Sequence, residues 1–354
     1  MKKKCNECSV QKVSVGGQAL IEGIMMQGPK GAALSVRLPD GTIETEEMVV
    51  KHLRDKFKPA GWPLIRGIVN MVESLVFGMK CMEKSAEKAG LDDDIPEEEM
   101  SKLDKWLSAH FGPKMMAVIT AISAVLGMLL AFVLFTYLPS LLVDLADKHI
   151  FNDFFKNVHS VFEGILRMII FVIYIWLVSR MKDIKRVFMY HGAEHKSIFC
   201  YEAGLDLTVE NVKKQSRFHP RCGTSFLFVT LIISIFVSST IALVFPTIDD
   251  NRMIWMAVKL LILPLIVGIG YEVIKYAGKH DNAIVRVFCA PGLWMQRLTT
   301  VEPTDDIIEV GIESIKAALY GMPEKTDSEC DTEKADKSDE ESNEDKVESE
   351  EKEN

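Results

Sequence analysis

No apolar run follows the basic residues of the N-terminal stretch MKKKCNECSVQKVSVGG. A cleaved signal peptide needs one, so membrane entry is expected from internal segments. The stretch from Pro323 to Asn354 lacks aromatics and almost all apolar residues. It cannot bury enough surface to offset its ordering entropy, and a disordered, solubilising tail is expected. It carries fifteen Asp and Glu against five Lys, while the whole chain nets −9. The acidity therefore belongs to the tail, and the rest of the chain is close to neutral. No internal repeat is visible. No Gly-Lys-Ser/Thr follows the glycines of VGGQALIEGIMMQGP, so a phosphate loop is excluded. Cys5-x-x-Cys8 has no second half nearby and reads as ordinary terminus rather than as a zinc knuckle.

Long apolar runs are present. Met115–Leu138, Val161–Val178, Ser225–Phe245 and Met253–Ile274 are each near the length that a membrane span requires, roughly 20 residues. Glu163, Arg167, Lys259 and Glu272 lie near the ends of the second and fourth runs, where long side chains can snorkel. The segment from Arg180 to Thr224 holds nine Lys and Arg, against two from Val143 to Ser160 and one from Pro246 to Arg252. The positive-inside bias places that segment, and both termini, in the cytoplasm of a multi-pass cell-membrane protein. All seven cysteines then fall on the inner side or in the tail, where thiols stay reduced, and no disulfide framework is expected.

The expected fold is mainly α, a polytopic membrane protein with about four transmembrane helices. A cytoplasmic region over 13–112 comes first. AALSVRLPDGTIETEEMVV reads there as a β-hairpin turning at Pro39-Asp40-Gly41. A long helix between Pro63 and Gly90 follows, too charged to span and apolar enough to lie on the membrane or to pack against the bundle. LDDDIPEEEMSK reads as a polar linker. The transmembrane domain is 113–279, with the loop 180–224. A cytoplasmic segment over 280–322 contains an amphipathic helix, opened by Pro303 with Thr304 or Asp305 as cap and ending near Tyr320. The acidic tail occupies 323–354.

The chemistry concentrates in the loop. In YHGAEHKSIFC, His191 and His195 are one helical turn apart, and Glu194 shares their face. Two imidazoles so spaced can share a tetrahedral zinc, with a carboxylate beside them as general base on water. In FHPRCGTSF, His219 and Cys222 precede the third span, which Thr224 or Ser225 is expected to cap. Free backbone N–H groups there favour a thiolate, a metal ligand or nucleophile. Glu272, His280 and Asp281 follow the fourth span. Three segments thus bring chemistry-bearing residues to one membrane level. His191, His195, His219 and Cys222 are the expected ligands of a divalent metal, zinc first, with Glu194 as the catalytic base. Glu22, Glu272, His280 and Asp281 are expected as outer partners or alternative ligands.

VGGQALIEGIMMQGP, HGAEHKSIFCYE, HPRCGTSF and APGLWMQRLTTVEP together resemble the YqhQ-like family of uncharacterised bacterial membrane proteins, labelled predicted metal-dependent enzymes. The resemblance runs over roughly residues 13–320. It implies an inner-membrane protein with Glu22, His191, Glu194, His195, His219, Cys222 and Gln296 at motif positions. Gln27 and Val301 depart from it, standing where a basic residue is expected. The reading that follows is a metal-dependent membrane hydrolase acting at the cytoplasmic surface on a lipid-linked or membrane-peptide substrate. The alternative is a non-enzymatic membrane scaffold or biogenesis factor with a structural metal site, and a small transporter using Lys259 and Glu272 is a third reading. The lipid bilayer is the expected partner; nucleic acid is not.

Overall fold

Asp40 makes the expected turn. Its Oδ1 accepts from the N–H (2.8 Å) and hydroxyl (2.7 Å) of Thr42, and Gly41 takes a φ of +88° that other residues resist. The strands it joins are β3 (Gly31–Arg37) and β4 (Ile43–Met48). A second hairpin precedes them, β1 (Gly16–Leu20) and β2 (Gly23–Gly28), giving one antiparallel sheet in the order β1-β2-β3-β4. The computed structural model describes residues 15–50, 53, 58–62, 65–90, 113–151, 159–245, 252–277 and 283–322. Cys5, Cys8, the linker after Gly90, His280, Asp281 and the acidic tail lie outside the described residues.

The middle strands are buried on both faces. Ile24, Met26 and Ala33 join one core, and Met25, Ala32, Leu34 and Val36 join another. α1 (Ile65–Lys88) covers the second face through Cys81, and Gly90 turns the chain just beyond it at φ +71°. α1 also docks on a span helix, α8 (Arg252–Ala277). A Cβ at Gly67 would stand 2.8 Å from that of Tyr271. Arg66 meanwhile grips Glu272 with bonds of 2.6 and 2.5 Å. Val72, Leu75, Val76 and Met79 stay exposed on α1, so one helix packs against the bundle and presents an open apolar stripe.

Four helices among the described residues are long and apolar enough to cross a membrane: Val125–His149, His159–Val178, Gly223–Val244 and Met253–Ala277. The first lies further along the chain than the expected Met115–Leu138. α2 (Pro113–Phe132) runs on through a π turn, Val133–Tyr137, into α3 (Leu138–Ala146). Pro139 lacks an N–H for the preceding turn, and the Leu138 N–H bonds Val133 O instead, five residues back. The other spans are α4 (His159–Val178), α7 (Gly223–Val244) and α8.

Lys259 does not snorkel outward. It is buried against Glu163, in ion pair with it, while Arg167 donates to the other Glu163 oxygen at 2.9 Å. Charge costs least in a membrane when it is paired within the bundle.

Between α4 and α7 lies α5 (Lys182–Ala203), ended by Gly204 at φ +72°, then the short α6 (Val209–Lys213). After α8 come α9 (Ala283–Thr299), which carries Pro291 internally, and α10 (Asp305–Tyr320), capped at Thr304. α10 is amphipathic as expected, and its apolar face is wholly buried. Ile307, Ile308, Val310 and Ile315 pack on the first face of the sheet together with Tyr190, Ala193 and Ile198 of α5. The Ser314 hydroxyl lies 3.0 Å from Ile24 O and 3.1 Å from Ala33 O. The sheet and α10 thus enclose α5, the helix that carries the histidines.

Candidate metal centre

Helical spacing puts His191, Glu194 and His195 on one face of α5, and tertiary contacts then fix each ring. His191 Nδ1 lies 2.8 Å from the carbonyl of Thr299 at the end of α9. His195 Nδ1 lies 2.5 Å from the carbonyl of Arg217. A carbonyl only accepts, so each Nδ1 carries the proton and each Nε2 keeps its lone pair. That is the tautomer a metal-binding histidine takes when its far nitrogen is held by a backbone oxygen.

The third member arrives from the loop after α6. Cys222 is itself the N-cap of α7, a place expected for Thr224 or Ser225, and its Sγ lies 3.5 Å from the Thr224 N–H. The same sulfur stands 3.2 Å from His191 Nε2. One ligand atom each from His191, His195 and Cys222 lie within 4.8 Å of one another. Tetrahedral zinc with bonds of about 2.0–2.3 Å separates its ligands by roughly 3.3–3.8 Å, so small side-chain adjustments bring the trio to coordination distance. Two nitrogens and one sulfur, with tautomers already set, fit a borderline-soft divalent cation.

Glu194 is not part of the trio but lines the same cavity, of about 510 Å³. It is 6% exposed. Burial pushes its pKa up to about 7, against the opposing pull of nearby His191 and a hydrogen bond from the Ala19 N–H. A carboxyl poised there exchanges protons readily at neutral pH. Gly17 is required beside it, since a Cβ on that residue would meet Glu194 Cγ at 2.9 Å.

His219 stands next to the trio rather than within it, its ring centre 5.6 Å from that of His195. Its Nδ1 accepts from the Arg221 N–H at 3.3 Å, so in the neutral ring Nε2 bears the proton. Burial and neighbouring His195 push its pKa down to about 4. Glu202 lies 3.5 Å from that Nε2, but without the alignment of a hydrogen bond, and is engaged by Arg221. Burial therefore outweighs the Glu202 charge.

The remaining expected residues sit elsewhere. Glu22 occupies the β1–β2 turn at φ +51°, with its carboxylate held by Arg186 and by the Tyr190 hydroxyl at 3.0 Å. It ties the sheet to α5 and does not line the cavity. Glu272 is bound to Arg66, as above.

Two elements of the centre have no local signature in sequence. Thr299 and Arg217 contribute backbone oxygens, which any residue supplies. Gln296 is completely buried and pairs with the peptide of His219, accepting from its N–H and donating to its C=O, both at 2.7 Å. Only the family resemblance singles out that glutamine.

Comparison with known proteins agrees with the resemblance. Residues 62–320 match the family described as "Protein of unknown function (DUF1385)". The chain is 36% identical over 309 residues to "Uncharacterized protein YqhQ" of Bacillus subtilis (strain 168), covering 86% of this chain and 92% of that one. No solved structure matches. Neither description assigns a metal or a reaction. The chain belongs to the YqhQ-like DUF1385 family.

Proposed function

We propose that this protein is a metal-dependent membrane hydrolase with its site at the cytoplasmic surface. The observation that carries this reading is the pair of oriented histidines. Both Nδ1 atoms are held by carbonyls and His191 Nε2 faces Cys222 Sγ, beside a buried carboxyl whose pKa is near 7. His191, His195 and Cys222 would hold the cation. Among the described residues three protein ligands meet there; a catalytic site keeps a position open, whereas a structural site is closed by four. A divalent cation there supplies Lewis acidity and makes water a stronger acid.

The protein's own groups do the rest. Glu194 as carboxylate takes a proton from the attacking water. The water oxygen bonds to the acyl carbon, the bond to the leaving group breaks, and Glu194 returns the proton to that group and is regenerated. The site lies where α4 ends and α7 begins, at the level of the basic 180–224 segment, which supports a cytoplasmic placement and a lipid-linked or membrane-peptide substrate.

Metal analysis of the purified full-length protein tests the first half. A stoichiometric divalent metal is expected, lost in His191→Ala and His195→Ala; its absence from the native protein ends the reading. Glu194→Gln tests the second half. Retained metal with lost cellular function is expected. Retained metal with intact function removes the base and favours the alternative, a scaffold or biogenesis factor with a structural site.

A further inference from the structure

The strand β1 is an edge of the sheet, and its outer side opens into the site. Among the described residues β1 pairs only with β2, in the register Gly16↔Gln27 to Leu20↔Gly23. The two-residue turn between Leu20 and Gly23 makes that closing pair a hydrogen-bonded one. Alternation then leaves the N–H and C=O of Gly17 and Ala19 pointing away from β2. The influence of the Ala19 N–H on the Glu194 carboxyl is in keeping with that direction. Gly17 keeps an outward donor and acceptor with no protein partner among the described residues. The cavity follows β1 from Val15 to Ala19 before reaching His191, Glu194 and Cys222.

We infer that the substrate is an extended peptide segment, bound by adding a strand to the outer edge of β1. The inference rests on the hydrolase reading for what happens after binding, but the binding mode stands on the edge itself. Exposed strand edges recruit extended chains through main-chain hydrogen bonds, with alternate side chains read by pockets. Val187 and Leu227 also line the cavity and give it an apolar part. A phosphate-bearing lipid headgroup fits less well. The one Lys or Arg among the described lining residues, Arg221, is in ion pair with Glu202.

The register follows. Gly17 is exposed and carries the outward pair away from the hairpin turn, so the added strand bonds there and runs on toward Glu194. Two residues of strand rise span about 6.6–6.8 Å. The amide presented to Glu194 therefore lies about two residues beyond the one paired with Gly17. Gly17 also has to lack a side chain, since a Cβ would close on Glu194.

The test uses the full-length protein in detergent, metal-loaded and carrying Glu194→Gln, so that binding is read without turnover. The probe is a randomised, end-blocked octapeptide pool in three forms: unmodified, N-methylated at alternate amides, and N-methylated at every amide. Retention is measured by mass spectrometry after gel filtration. Strand addition predicts retention of the first two forms within about threefold, because one peptide edge survives, and at least a tenfold loss for the third. A photo-crosslinking residue at Val187 should capture the retained peptides, and one at Glu47 on the opposite edge strand should not. Retention indifferent to full methylation, capture only at Glu47, or no retention at all overturns the proposal. Amide-dependent binding without cleavage by the native protein would instead sink the hydrolase reading and leave the strand site standing. Cleavage of a non-peptide substrate by a protein that retains no peptide does the reverse.

Discussion

Replacing Gln296 with Leu should loosen the candidate metal centre without touching His191, His195 or Cys222. The side chain is fully buried and pairs with the peptide group of His219 in both directions, at 2.7 Å each. It also donates to the Ser225 hydroxyl at 3.3 Å. Leucine fills similar space but strands one buried N–H and one buried C=O. At about 1–3 kcal/mol for each unsatisfied group, the cost is about 2–6 kcal/mol. Part falls on global stability, and part on the loop that holds His219 and Cys222 in place. The expected outcome is a lower Tm in detergent, together with weaker metal binding in a competition titration against a chelator. Glu at this position still accepts from the His219 N–H but cannot donate to the C=O when ionised, so it should rescue only part of the loss. The reasoning is refuted if Gln296→Leu keeps native Tm and native metal affinity, since the loop would then need no clamp.

Acidity should act on the site in two opposite directions. His219 has its pKa pushed down to about 4 from an ordinary 6.5, so the unfolded chain takes that proton first. Its contribution is complete above about pH 6.5 and is lost as pH falls toward 4, by about 3 kcal/mol. Glu194 has its pKa pushed up to about 7 from 4.5, so the stability of its protonated form is lost as pH rises through that window. Relative to wild type, the Tm of metal-free His219→Phe should gain as pH falls, and that of metal-free Glu194→Gln should gain as pH rises. Flat differences against pH would contradict both shifts. In the bundle, Glu163→Gln should cost more than Lys259→Met. The first leaves two cations without their shared carboxylate, while the second leaves Glu163 paired with Arg167. Losing one partner of a buried pair costs about 3–5 kcal/mol, and thermal unfolding in detergent should rank the two variants in that order.

The parts of this molecule legible in its sequence are those governed by local rules. Pro39-Asp40-Gly41 between two short strand-forming runs gave away one hairpin, and Thr304 followed by apolar residues at helical spacing gave away α10. The first hairpin stayed hidden for a physical reason. β2 is buried on both faces, so Ile24, Met25 and Met26 form a run and not an alternation. Its turn places Glu22 at φ +51° without glycine, held instead by Arg186 and Tyr190. α9 was masked by Pro291-Gly292, where the glycine lets the helix approach Ser225. At the site, i to i+4 spacing and loop charge brought His191, His195 and Cys222 to one place on paper. The pairing of Lys259 with Glu163 was not legible, because it joins positions 96 residues apart. His219 was expected among the ligands and stands next to the trio, its ring centre 5.6 Å from that of His195.

The architecture makes the candidate metal centre depend on segments that contribute none of its three candidate ligands. α5 is too polar to stand in lipid and has to be covered, and its cover comes from the sheet on one side of it in sequence and α10 on the other. Gly192 allows the closest approach. A Cβ there would collide with the Val301 carbonyl, and the Val301 N–H bonds Phe188 O at 2.9 Å. Glu302 then pairs with Lys196 and Arg217, the residue whose carbonyl orients His195. The chain from Thr299 to Glu302 thus holds His191 directly and His195 through Arg217. Ending the protein after Thr300 should abolish metal binding although His191, His195 and Cys222 all remain. Ending it after Met322 should leave binding intact, because Thr299, Val301, Glu302 and Gln296 all lie before that point. Metal analysis of the two truncations beside the full-length protein separates these outcomes. Metal retained by the shorter one would mean that α5 and the Cys222 loop form the site unaided.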